Sequence, residues 1–444
     1  MQRVAVINVV GLSPSLLGPS TPRLSAFAEK HGMQVFPPAF PALTCTAQSS
    51  MLTGTPPSEH GIVANGWYDR ESAEVRFWKQ SNHLVRGEKI WDHLRQKIPG
   101  FTCAQLFWWY NMYSTADITM TPRPLYPADG RKVFDIHTQP MDLREKVKAD
   151  LGPFPFPSFW GPGAGIACSE WIAKAARWTE ERESPTLSFV YLPHLDYCLQ
   201  KFGPGAPEIA PELEAIDRVA GDLIDFLETR GVKVMVVSEY GISKVTRPIH
   251  LNRLFRKEAW IQVKNELGRE TLDAGGCEVF AVADHQVAHI YAKQGPTAKL
   301  REFLESIDGV AEVRESIDGD RSGDFVVVAE PDAWFTYYFW EDDAKAPDFA
   351  RCVDIHRKPG YDPAELFLDP EIPNPKWEIG KFLLKKKLGL RGLLEVIPLD
   401  ASLVKGSHGR DIVEDGERPL ILGSPIPVTQ AEEVFGAIIA AIDP

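Results

Sequence analysis

Phe40-Pro41-Ala42-Leu43-Thr44-Cys45-Thr46-Ala47-Gln48-Ser49-Ser50-Met51-Leu52-Thr53-Gly54 decides how the rest of the chain is read. An apolar approach ends at a proline, small hydroxyl residues open a short helix, and Gly54 stops it. Pro56-Pro57-Ser58-Glu59-His60-Gly61-Ile62-Val63-Ala64-Asn65-Gly66 follows at once. Hydroxyls at a helix start cap unpaired N–H groups. They also stand where the positive end of the helix attracts a phosphate. Such a hydroxyl becomes a nucleophile toward phosphorus once something, commonly a metal ion, takes its proton. On spacing alone, Thr44 or Thr46 as a plain helix cap is the simpler reading.

Outward from this stretch the chain alternates strand and helix. Residues 3–10 read as a buried strand, 24–30 and 87–96 as helices, and 101–107 as a strand. A helix follows at about 165–182, then a strand over 186–192 and an amphipathic helix over 208–229 with Ile216, Val219, Leu223 and Phe226 on one side. Residues 233–237 form another buried strand. Two of these strands run into carboxylates, Asp196 and Glu239, and ligands of open α/β sheets bind beyond the carboxyl ends of strands. Residues 107–165 hold many aromatics and prolines and read either as an insertion shaping a pocket or as a satellite core. The predicted fold is α/β: a central, mostly parallel sheet with helices on both faces over residues 1–245 and 346–444. A small α+β cap with a β-α-β-β look covers 246–345.

The 444-residue chain has a net charge of −13, which excludes a general nucleic-acid binder. An anionic small molecule is not excluded, because a few local cations reverse the field. Six cysteines (45, 103, 168, 198, 277, 352) are scattered without a CxxC pair, so no zinc finger or disulfide framework is indicated. The first ten residues read as a strand, and no apolar run is long enough to span a bilayer. The expectation is a cytoplasmic protein with neither a membrane nor a nucleic-acid polymer as partner. Lys385, Lys386 and Lys387 in 382–390 read as the solvated face of a basic helix. Asp354, His356, Lys358 and Asp362 read as a polar turn around Pro359-Gly360. His285 and His289, four apart, would share one face of a strand, as core or interface residues.

The opening stretch resembles the nucleophile region of the alkaline phosphatase superfamily, in particular its nucleotide pyrophosphatase/phosphodiesterase and phosphonoacetate hydrolase branches. Pro41, Thr44, Thr53, Gly54, Pro57, His60, Gly61, Ile62 and Asn65 all fit that pattern. The resemblance implies Thr44 as nucleophile, with helix N–H groups on the phosphoryl oxygens. Gln48, Asn65 and Tyr240 are read as substrate-binding positions, although no motif requires Gln48. The implied function is metal-dependent hydrolysis of a phosphodiester or nucleotide pyrophosphate, a small-molecule phosphate ester, through a phospho-threonine intermediate. The alternatives are a phosphonate or other ester hydrolase, a phosphoryl transferase, and a non-catalytic binding relative.

The resemblance also implies two divalent ions on six Asp and His side chains. Here the six places hold Val10, Asp196, Gln200, Glu239, Tyr240 and His408, and the last lies in a fitting Gly-Ser-His-Gly turn. The candidate metal positions are therefore Asp196, Glu239 and His408, with His194 and Gln200 beside them. Three readings follow: one ion rather than two; a site rebuilt with His250, His285, His289 or His356; or none. An oxygen-rich set suits Mg²⁺ or Mn²⁺ better than Zn²⁺.

Overall fold

The computed structural model describes residues 2–129, 131–390 and 392–443, without the side chain of Lys386, so that part of the lysine reading lies outside the described residues. Val4–Val9 is buried at every position and is central in an eight-stranded sheet. From edge to edge the sheet runs 33–35, 420–422, 233–237, 4–9, 187–192, 103–106, 118–122 and 136–139. The five strands from 233–237 to 118–122 are parallel, and 33–35, 420–422 and 136–139 pair antiparallel at the two edges. Continuous Val/Ile runs suit this position, since a parallel strand is covered on both faces.

The long helices are Ile166–Glu183 and Ile209–Thr229, which pack on each other, and Ile90–Lys97 lies where the periodicity predicted a helix. The helix Val434–Ile442 packs on the helix Thr44–Thr53 and on Val4–Val9. Phe107, Trp108, Phe154 and Phe159 of the aromatic segment belong to the main core rather than to a separate one.

Residues 279–284, 287–292, 325–329 and 310–315 form an antiparallel four-stranded sheet in that spatial order, backed by the helix Ala298–Glu305. It has an apolar cluster of its own, including Phe255, Ile290, Leu304 and Phe325. The order is β-β-α-β-β, one strand more than the sequence suggested. The stretch read as one strand is a hairpin that turns at His285, whose φ is +61°. His285 and His289 are therefore not two residues on one strand face. His289 lies within the second strand, bonded to Ser322 and to the Val63 carbonyl, while His285 sits in the turn.

The 354–362 segment is not a simple polar turn either. Lys358 is 2% exposed and its Nζ lies 2.6 Å from Asp362 Oδ2 and 2.7 Å from Glu365 Oε1. All six cysteines are unpaired, and among the described residues no helix is long and apolar enough to cross a membrane. Removing Lys358 strands two buried carboxylates. Lys358→Ala is expected to lower the unfolding free energy by about 3–5 kcal/mol in denaturant titration. A loss under about 1 kcal/mol would mean that the two acids need no buried cation.

Candidate active site

The helix Thr44–Thr53 is buried along its whole length. Leu43, not a hydroxyl, is its cap residue, and no side chain caps it through that position. Its first turn is held instead by the loop that follows. Asn65 Oδ1 accepts from the Cys45 N–H at 3.1 Å, and Asn65 Nδ2 donates to Asp284 Oδ1 at 3.2 Å. Asp284 also accepts the Asn65 N–H at 2.9 Å. Both ends of the Asn65 amide thus take part in positioning the helix start, each through one bond. Leu43 and Ala64 pack on Val287, Val326 and Val328, so the cap sheet clamps the loops on either side of Thr44.

Thr44 Oγ1 lies 2.8 Å from the Tyr240 hydroxyl, which donates to Asp196 Oδ1 at 3.3 Å. With the phenol proton directed at Asp196, the threonine proton is directed at the phenol oxygen, giving a chain from alcohol to phenol to carboxylate. Tyr240 is brought there by close backbone packing. A Cβ at Gly241 would fall 1.9 Å from the Glu417 carbonyl oxygen, and one at Gly406 would fall 2.2 Å from that of Leu199. Both places require glycine. A short ladder then pairs Ser243 with Ser407, and Tyr240 stacks on His408 at 3.6 Å between centroids and 9° between planes. His408 Nδ1 lies 2.7 Å from the Ala42 carbonyl, leaving Nε2 to face Asp196 Oδ1 at 3.6 Å.

Asp196 and His194 lie not on a strand end but in the helix His194–Phe202 just beyond it. Residues two apart on a helix point to different sides. His194 Nε2 accordingly lies 2.8 Å from Glu212 Oε2, in a small pocket with Tyr197, Cys198 and Lys201, turned from the Asp196 group. Gln200, one turn on from Asp196, donates to Asp196 Oδ2 at 2.9 Å and accepts from the Tyr361 hydroxyl at 2.8 Å. Tyr361 carries the chain to the cap: it stacks on His285 at 3.6 Å, and His285 lies 3.8 Å from His408. Tyr361 is the site residue that the sequence reading missed. His285 entered that reading only as one of four histidines of a rebuilt metal site, and strand periodicity favoured a core or interface role for it.

On the other side of Thr44, Glu239 Oε1 accepts from Asn8 Nδ2 and, at 2.6 Å, from Gln48 Nε2. Gln48 Oε1 in turn accepts the Trp109 N–H at 2.7 Å, which ties the aromatic segment to this cluster. Glu239 Oε2 is buried and has no hydrogen-bond partner among the described residues. Burial pushes Glu239 up to about 8, with the amides of Gln48 and Asn8 opposing the shift. Burial likewise pushes Asp196 and Asp284 up to about 7. His408 is driven well below its usual range by burial and by neighbouring His285. Thr44 itself is only 4% exposed.

This donor set does not fit the implied pair of ions. Val10 is apolar, Gln200 turns an N–H toward the carboxylate it should assist, and two amide N–H groups occupy Glu239 Oε1. Among the described residues no three His, Cys, Asp or Glu side chains converge as a cation site, and Asp196, Glu239 and His408 do not do so. Buried polar side chains thus gather beyond the strand ends around an alcohol at a helix start, the place where α/β sheets bind ligands and where a helix attracts an anion.

A model of the type I phosphodiesterase/nucleotide pyrophosphatase family matches residues 4–362, and the chain belongs to that family. It is 27% identical over 252 residues to an uncharacterized pyrophosphatase/phosphodiesterase of Schizosaccharomyces pombe, covering 54% of this chain and 44% of that protein. It is 22% identical over 226 residues to human ectonucleotide pyrophosphatase/phosphodiesterase family member 1, covering 49% of this chain and 20% of that protein. The match thus spans less than half the length of these relatives. Murine ectonucleotide pyrophosphatase/phosphodiesterase 5 in complex with AMP shares the fold at a TM-score of 0.59 and 14% identity, over 100% of this chain and 95% of that one. Phosphonoacetate hydrolase from Sinorhizobium meliloti in complex with phosphonoformate does so at 0.60 and 16%, over 99% and 96%.

The buried acids and imidazoles make stability depend on pH. Glu239, Asp196 and Asp284 hold protons in the fold that the unfolded chain releases near its ordinary values of 4.5 and 3.8, so their contribution is lost progressively as pH rises toward 8. His60 and His289, held at about 3 and about 4 by burial, stay neutral in the fold and oppose that trend only below 6.5, where the unfolded chain takes up protons. Above about pH 6.5 the acids act alone, and denaturant midpoints of chelator-treated protein should decline toward pH 8. Glu239→Gln should flatten the alkaline decline; an unchanged slope would show that Glu239 is ionised in the fold.

Proposed function

We propose that the chain hydrolyses a small phosphoric or phosphonic ester, with Thr44 as nucleophile and Tyr240 and Asp196 as its proton path. The observation that carries this reading is the unbroken chain from Thr44 Oγ1 to Tyr240 (2.8 Å) to Asp196 (3.3 Å) at a helix start. A phenol and carboxylate stand where an ion would otherwise activate the alcohol. The Thr44 oxygen forms a bond to phosphorus as the ester P–O bond breaks, and the leaving alkoxide takes a proton from solvent. The Thr44 proton passes through Tyr240 to Asp196. It returns to the threonine oxygen when water, losing a proton to solvent, releases the phosphate. First-turn N–H groups of the helix hold the phosphoryl oxygens. Family membership and the AMP and phosphonoformate complexes of structural neighbours support phosphodiesters, nucleotide pyrophosphates and phosphonates as the substrate class.

A second reading, a phosphoester-binding relative without turnover, draws on the 4% exposure of Thr44 and on Val10, Gln200 and Tyr240 at ligand places. A panel of nucleotide diesters, pyrophosphates and phosphonates separates the two, run on chelator-treated protein and with added Mn²⁺, Mg²⁺ or Zn²⁺. Turnover without added ion, abolished in Thr44→Ala and lowered about 10²-fold in Tyr240→Phe, is the expected result. Binding of AMP by calorimetry with no turnover under any condition would favour the second reading. Turnover only with an added ion would overturn the proton path.

A further inference from the structure

Between Tyr361 and His408 in the chain, the helix Pro375–Lys387 and the residues after it turn large apolar side chains outward. Trp377 is 63% exposed, Leu384 59%, Leu388 67% and Leu390 59%. Among the described residues of this segment, Ile379 and Leu394 lean on a small cluster formed by Ala364, Val396 and Ile397. An exposed Leu is ordinary, but such a run of them is not.

The same segment reverses the charge of the protein. Residues 375–394 carry six cationic side chains and one Glu, a net of +5 in a chain of −13, so the remainder carries −18. Lys376, Lys381, Lys385 and Lys387 are exposed between the exposed apolar residues. Interleaving of Leu, Trp and Lys decides what covers the face. The core of a protein interface excludes lysine, and a second copy would set two like-charged segments against each other. A lipid surface accepts both kinds of side chain. Leucines enter the acyl boundary, lysine stems snorkel to anionic headgroups, and tryptophan prefers the interfacial layer.

We propose that residues 375–394 bind the surface of anionic bilayers and hold the protein there without spanning them. A 13-residue helix is about 20 Å long, short of the roughly 30 Å hydrocarbon core, so it lies in the plane of the interface. The proposal is independent of the chemistry at Thr44. The sequence reading took the lysines as a solvated face, and a surface helix needs no spanning segment.

The test is flotation of the full chain with vesicles of phosphatidylcholine alone and of phosphatidylcholine with phosphatidylglycerol. The protein should float with the phosphatidylglycerol vesicles at low salt, be released at high salt, and ignore the neutral ones. Lys381→Ala and Lys385→Ala should each weaken partitioning about fivefold. Leu384→Ser with Leu388→Ser should abolish it at unchanged charge. These exposed substitutions leave the core untouched, and unchanged thermal midpoints verify that. No flotation, or flotation that the variants leave intact, would overturn the proposal. So would a dimer in sedimentation that Leu384→Ser dissociates without any vesicle binding, since a second copy would then cover the face.

Discussion

Three side chains from separate parts of the chain, Thr44, Tyr240 and Asp196, meet in one buried run of hydrogen bonds, and the surrounding structure is arranged to hold it. A hydroxyl, a phenol and a carboxylate out of water carry a penalty unless each finds a partner. Here the partners come from two helices, Thr44–Thr53 and His194–Phe202, and from the loop after the strand Lys233–Val237. The run is satisfied only when these elements are docked on one another, and that couples formation of the site to formation of the fold.

The same constraint accounts for the residues around it. Gln200 and His408 attend Asp196, while Asn8 and Gln48 attend Glu239. Amide donors at a buried carboxylate stabilise it without bringing a net charge. Burial still dominates, which is why both acids are pushed up toward neutrality. Two ions in such a pocket would demand ionised, outward-looking carboxylates and imidazoles. This chain has a valine, an amide and a phenol in three of the places concerned, Val10, Gln200 and Tyr240.

The cap is part of the site rather than an appendage. Asp284 fixes the loop after the helix Thr44–Thr53 through Asn65, and His285 reaches His408 and Tyr361 by stacking. A hairpin turn with a positive φ aims that imidazole inward. Leu43 and Ala64, packed on cap valines, make the position of Thr44 depend on the cap.

The sequence by itself determined the sheet, the long helices and the stretch around Thr44. These depend on local periodicity and stop signals: the apolar run of 4–9, the amphipathic spacing of 209–229, and the proline and glycine bracketing Thr44–Thr53. It also pointed to Asp196, Glu239 and His408, because motif order follows strand order. Tertiary structure alone decided what those residues touch. Periodicity could not reveal that His194 turns to Glu212, that Asn65 holds a helix end, or that Lys358 is buried between two acids. Nor could it bring His285 to His408, which lie more than a hundred residues apart. Those contacts are set by packing across long sequence separations, and a local pattern carries no record of which distant surface a side chain will meet.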